Sequence, residues 1–249
     1  MLIINKKRII IILCMVGVSL YAYSLKNTYN VIGDNKANKF TDQTVQTVST
    51  PVSNKVVIID AGHGFPDGGA VGNRGTIESE INLKIALKLQ KLLEESGSYV
   101  ILTRSDENGI YENDNSSISD KKVSDIKNRV TIGNESSADI FVSIHLNKIE
   151  EEQYHGWQTF YNSKSEEGKR LSECIQNSLN ETISKDNRRV PKEIDNVYIL
   201  NHVEIPISIV ECGFLSNNEE EQNLKSEEYQ NKLAYGIYIG IIDYFYNNK

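Results

Sequence analysis

The run from Val56 to Gly64, VVIIDAGHG, constrains this chain more than any other stretch. Val56, Val57, Ile58 and Ile59 follow one another without a polar break. Such a run is the mark of a strand buried on both faces, the usual state inside an α/β sheet. It runs straight into Asp60-Ala61-Gly62-His63-Gly64, where the glycines allow a sharp turn as the strand ends. An imidazole is thereby left at the carboxyl edge of a sheet, where open α/β proteins place their ligand sites.

The rest of the chain supplies the elements that such a strand needs. Ile81, Ile85, Leu89 and Leu92 recur at helical spacing up to Gly97, and Tyr99–Thr103 follows as a strand, which completes a βαβ unit. Ser105–Ser119 is polar and reads as a surface loop, and Val123, Ile126 and Val130 mark a second helix. Asp139–His145, DIFVSIH, is a third strand, buried and ending in histidine; Trp157–Tyr161 reads as an edge strand. Leu171, Ile175, Leu179 and Ile183 define a helix opened by a capping box from Ser163 to Glu166. Val197–Leu200 reads as a further strand, Ile207–Cys212 as another buried one, and Tyr229–Tyr246 as a closing helix with Gly236 and Gly240 on a close-packing face. The expectation is one α/β domain over residues 55–249, with a mixed, mostly parallel sheet of about six strands and helices on both faces.

Ahead of that domain, Lys6, Lys7 and Arg8 precede an apolar run from Ile9 to Leu25. Residues 1–25 thus have the layout of a signal peptide or short N-terminal membrane anchor, and the body is expected to be exported. Residues 26–54, rich in Asn, Thr, Ser and Lys, read as a flexible spacer. A net charge of -7 excludes the basic stripe of a general nucleic-acid binder. Cys174 and Cys212 form no zinc-type pair and are expected to be two buried thiols.

Three of the strands end in metal-capable groups, His63, His145 and Glu211, and Glu78 stands in the first turn of a helix. Two histidines and one carboxylate hold zinc in many hydrolases and leave an open position for water, with a second carboxylate as base. The plainer reading makes His63 a turn residue, His145 a satisfied histidine and Glu78 a complement to the helix dipole. Glu211 resists such a reading, because a carboxylate between Val210 and Cys212 in a buried strand is costly without a partner. His155 and His202 lie in polar loops and read as solvated.

Asp60–Gly64, Gly75 through Glu78 to Asn82-Leu83, Ser143–Asn147 and Val210–Asn217 come in one order. That series resembles the zinc-dependent N-acetylmuramoyl-L-alanine amidases over about residues 55–248. The resemblance implies Zn2+ held by His63, Glu78 and His145, with Glu211 as the catalytic carboxylate. Glu80 competes for the ligand role, but the family's glutamate stands four residues before the asparagine, which is Glu78. Phe65-Pro66 departs from the family where many members have a further glycine. Lys122–Val130, Gln158–Tyr161 and Asp195–Leu200 are most similar to the sporulation and germination branch. That likeness implies removal of stem peptides from spore-cortex peptidoglycan ahead of muramic-δ-lactam formation, in the spore intermembrane space. The partners implied are peptidoglycan, an accessory exported protein, and the membrane if the leader stays uncleaved; nucleic acid is not among them. Asn147 and the backbone near Gly64 are expected to hold substrate. The alternatives carried forward are a vegetative wall-turnover amidase, a zinc peptidase of the stem peptide and an inactive wall-binding module. A non-haem iron oxygenase also uses two histidines and a carboxylate, but the spacing disfavours it.

Overall fold

The computed structural model describes residues 49–112, 115–184 and 186–247. The leader and nearly all of the spacer expected at 1–54 lie outside the described residues. The chain divides into a unit at Met1–Val48 and a unit at Ser49–Lys249, the latter holding every described element.

The strand expected from the apolar run is β1, Val56–Ala61. Alternate side chains enter different cores: Val57, Ile59 and Ala61 join one apolar cluster and Ile58 the other. Two buried faces explain why the run has no polar alternation. Helix α1 (Glu78–Glu95), β2 (Tyr99–Leu102), α2 (Ile118–Glu135) and β3 (Ile140–Asn147) follow. Next come β4 (Gln158–Tyr161), α3 (Glu166–Thr182), β5 (Lys192–Glu193) and α4 (Tyr198–His202). The chain ends with β6 (Ile207–Phe214), α5 (Asn218–Lys225) and α6 (Glu227–Tyr246).

The six strands form one sheet in the order β2-β1-β3-β6-β4-β5. All neighbours are parallel except β4 with β6, which run antiparallel. The larger core packs α1, α3 and α6 on one face of the sheet. On the other face, Ile199, Leu200 and Val203 of the α4 region and Ile126 and Val130 of α2 cover Ile58, Phe141, Ile207 and Ile209. Helices on both faces of a mostly parallel six-stranded sheet are what the sequence predicts.

Several local expectations need correction. Val197–Leu200 is not a strand: Tyr198–His202 is a short helix, and the sixth strand is Lys192–Glu193. That strand is two exposed residues with no apolar signal, paired only through its backbone to Phe160 and Tyr161. It takes the edge position expected of Trp157–Tyr161, and β4 lies inside it. The N-cap of α3 is Ser165, whose hydroxyl accepts from Gly168 N at 3.0 Å, so the Ser163–Glu166 capping box does not form. Helix α5, opened by Asn217, has no forerunner in the sequence reading. Cys174 and Cys212 are free; Cys212 is buried and Cys174 half-buried.

Candidate metal centre

The carboxyl edge of the sheet gathers the ligand candidates. His63 follows β1 in a left-handed backbone conformation, φ +62°, which non-glycine residues rarely hold without support. Two buried arginines supply that support. Arg104 donates Nε to Ala61 O at 2.8 Å and Nη2 to Gly62 O at 3.1 Å. Arg129 donates Nη1 to Ala61 O at 2.9 Å and Nη2 to His63 O at 2.6 Å. Three successive carbonyls of the turn are thus fixed by guanidinium groups that approach from β2's end and from α2.

Arg129 is itself held by Asp60 and by Asp125, whose Oδ2 lies 2.6 Å from its Nε. Asp60 further accepts from Thr103 at 2.7 Å and Ser143 at 2.5 Å. Burial acts to raise the Asp60 pKa, but Arg129 and these hydroxyls hold it below the usual carboxylate range. Sequence reading of single residues missed this frame. Its signal was an arginine and two aspartates at positions where apolar residues were the ones being counted.

On the imidazole side, His63 Nδ1 lies 2.9 Å from Asp67 Oδ2. Asp67 also pairs with Lys122 at 2.8 Å and accepts from Gly69 N at 3.2 Å. A carboxylate on one ring nitrogen fixes the other for a metal, the usual arrangement around a metal-binding histidine. That other nitrogen, Nε2, lies 3.3 Å from Glu78 Oε1. Burial lowers the His63 pKa, but Asp67 and Glu78 outweigh it and raise the value to about 9.

Glu78 opens α1 and is buried. Its Oε1 meets His145 Nδ1 at 3.0 Å and accepts from Leu146 N at 3.0 Å; its Oε2 accepts from Ala70 N at 2.8 Å. Despite burial, the two histidines hold its carboxyl well below the ordinary range. His145 stands on β3 with its ring centroid 4.9 Å from that of His63, at 76°. A Cβ on Gly62 would strike the His145 ring, and one on Gly69 would lie 2.5 Å from Glu78 Oε2. Both positions therefore have to be glycine for the three side chains to converge.

One donor atom from each of His63, Glu78 and His145 falls within 4.8 Å of the others. The separations of 3.0 and 3.3 Å from Glu78 Oε1 match the edge of about 3.3 Å expected between ligands around tetrahedral zinc. Glu211 is the register partner of His145 on the neighbouring strand, so the two side chains share a face. Its Oε2 is shut off from solvent and has no hydrogen-bond partner among the described residues. Burial, moderated by His145, raises its pKa to about 7. Glu80, the rival to Glu78, points outward and is exposed. His155 and His202 are exposed as expected, His202 stacked on Tyr198 at 3.8 Å.

The model of the Amidase_3 family, described as N-acetylmuramoyl-L-alanine amidase, matches residues 57–243. The chain belongs to that family. It is 36% identical over 197 residues to the germination-specific N-acetylmuramoyl-L-alanine amidase of Bacillus subtilis (strain 168), covering 79% of this chain and 82% of the relative. It is 29% identical over 221 residues to the amidase LytC of the same organism, covering 88% of this chain and 41% of LytC. Among solved structures, the CwlD amidase of Clostridioides difficile, in complex with the GerS lipoprotein, is 45% identical with a TM-score of 0.76. That likeness covers 78% of this chain and 100% of the other. An N-acetylmuramoyl-L-alanine amidase from Clostridium difficile 630 is 31% identical with a TM-score of 0.67, over 79% and 100% of the two chains. This Amidase_3 enzyme is accordingly an N-acetylmuramoyl-L-alanine amidase acting on peptidoglycan. No helix among the described residues is long and apolar enough to cross a membrane.

Proposed function

We infer that His63, Glu78 and His145 bind a zinc ion and that Glu211 is the catalytic carboxylate. The bond cut is the amide between the lactyl group of N-acetylmuramic acid and L-alanine. The observation that carries the division of roles is the contrast between the two glutamates. Glu78 has both oxygens engaged by histidines and backbone amides, whereas Glu211 has a buried Oε2 with no partner beside the same histidines. Bound zinc supplies Lewis acidity towards the scissile carbonyl and lowers the pKa of a water. Glu211 takes a proton from the attacking water and delivers it to the leaving amine. Asp67 keeps His63 turned so that Nε2 faces the centre, and Arg104 and Arg129 hold the turn that carries it.

The setting is spore-cortex peptidoglycan, where peptide removal precedes muramic-δ-lactam formation. The names of the germination-specific relative and of the lipoprotein-bound CwlD structure support that setting and an accessory exported partner. The charged and apolar leader at 1–25 supports export to the outer face of the membrane and the spore intermembrane space.

Metal analysis combined with mass spectrometry of digested peptidoglycan tests the chemistry. Glu211→Gln retains zinc and releases no peptide; His145→Ala loses zinc. Loss of metal from Glu211→Gln with retention in Glu78→Gln would reverse the two carboxylates. Products cut inside the stem peptide would point to a peptidase, and wall binding by the zinc-loaded protein without any cleavage to an inactive module. In cells, chromatography of cortex from a Glu211→Gln strain should show no muramic-δ-lactam, with near-normal vegetative growth. Chained or misshapen vegetative cells with an unchanged cortex would mean general wall turnover instead.

A further inference from the structure

A second feature lies along the same sheet edge, one strand beyond Glu211. Strand β4 runs antiparallel to β6, with Gln158 as the register partner of Glu211. His145, Glu211 and Gln158 therefore form a row of side chains on one face, across three neighbouring strands. Gln158 reaches onward to the segment that precedes β5. Its Nε2 donates to Val190 O at 2.9 Å, and its Oε1 accepts from Arg189 Nη1 at 3.3 Å. The Arg189 guanidinium lies over the Phe214 ring at 4.5 Å and donates Nε to His155 O at 2.9 Å. Phe214 is the last residue of the strand that carries Glu211.

Arg189 is thus a fixed cation two side chains from the catalytic carboxylate. Its two hydrogen-bond acceptors are neutral, and among the described residues no carboxylate pairs with it and Nη2 has no acceptor. Glu220, which feels the charge of Arg189, is engaged by Gly156 N at 2.7 Å and Phe214 N at 2.8 Å. Arg189 lines a cavity of about 490 Å³ together with Arg188, His155 and Tyr154, and with one carboxylate, Asp186. Arg188 is exposed. In a chain of net charge -7, Arg188 and Arg189 outnumber the one carboxylate, Asp186, that lines this cavity with them.

We propose that this cavity is the subsite for a carboxylate of the stem peptide, with Arg189 as the group that binds it. The inference rests on the reading of Glu211 and its histidines as the reacting centre. The leaving group starts at L-alanine, and a carboxylate on the residue that follows it would be directed towards a cation held on the strand next to that of Glu211. A guanidinium packed over a ring and tethered at two nitrogens offers its remaining nitrogen with little ordering left to do. A lysine at this place would bring the charge without the fork.

The test uses the full chain loaded with zinc and two soluble N-acetylmuramoyl peptides. Both start with L-alanine; in one the next residue bears a free carboxylate and in the other the corresponding carboxamide. The wild type should favour the free acid in kcat/KM by on the order of tenfold, the size of one charge-assisted hydrogen bond, mostly through KM. That preference should shrink as salt rises. Arg189→Gln should erase it by raising KM for the acid, and Arg189→Lys should keep part of it. A wild-type ratio near one overturns the proposal without any variant. Equal loss on both substrates in Arg189→Gln also overturns it, and makes Arg189 a tether of the 153–158 and 186–190 segments only. If the wild type cleaves neither peptide, the reading of the reacting centre fails first and this inference with it.

Discussion

Asp67 determines which nitrogen of His63 faces Glu78 and His145, because its Oδ2 takes Nδ1 at 2.9 Å. Asp67→Ala should therefore leave the fold intact and lower zinc affinity by roughly 10- to 100-fold, the usual effect of losing the partner of a ligating histidine. Competition with a fluorescent chelator measures it, and an unchanged affinity would make the Asp67–His63 contact incidental. His63 was readable from its place after an apolar strand. Asp67 was visible in the sequence only as a loop residue, since its role depends on the loop folding back over four positions. Phe65, the departure from the family pattern, is 65% exposed and contributes no donor to the cluster.

Helices α3 and α6 pack through glycines, as the Gly236 and Gly240 spacing predicts. A Cβ on Gly240 would lie 2.5 Å from Ile175 Cα and 2.8 Å from Ile175 N, both backbone atoms that cannot rotate away. An alanine in mid-helix ordinarily gains up to about 1 kcal/mol over glycine. Here overpacking outweighs that gain, at roughly 1–3 kcal/mol. Gly240→Ala should lower the melting temperature by a few degrees, with zinc binding unchanged in the folded fraction; a raised melting temperature would show that the helices can move apart. Helix α2 behaves differently from its sequence pattern. Val123 is 50% exposed, and the fully buried residues of the helix are Arg129 and Gly133. Its inner face delivers a charge to the turn that carries His63, which apolar periodicity does not register.

Across the whole molecule, the buried Asp60–Arg129–Asp125 group ties α2 to β1 and, through Thr103 and Ser143, to β2's end and β3. Asp60 has a folded pKa below its unfolded value of about 4. Its stabilisation is therefore complete above that unfolded value and is lost as pH falls through the folded one. Denaturant melts between pH 3 and pH 7 should show stability falling steeply below about pH 4. Asp60→Asn should cost about 3–5 kcal/mol at neutral pH, because Arg129 then stays buried with an uncharged partner, and its acid limb should be flatter. A mutant with the wild-type pH slope would assign the acid sensitivity to other carboxylates.

Most strands and helices, the buried character of β1, β3 and β6, and the candidates His63, Glu78, His145 and Glu211 were legible in the sequence. They were legible because each depends on local patterning: apolar runs with a polar terminus, helical spacing, and glycines where the chain must turn. The two-residue strand at Lys192–Glu193, the short helix at Tyr198–His202 and the Ser165 cap were not. Backbone pairing to β4 creates the first, packing of Ile199 and Leu200 against Phe141 and Ile207 favours the second, and the chain path after β4 selects the third. Charge pairing is the larger omission. Asp60, Asp67, Arg104 and Arg129 are ordinary surface letters in a linear chain, and only the tertiary structure removes them from water or sets them beside their partners. Solvent exclusion and the geometry of those partners, not residue type, decide that they hold the site.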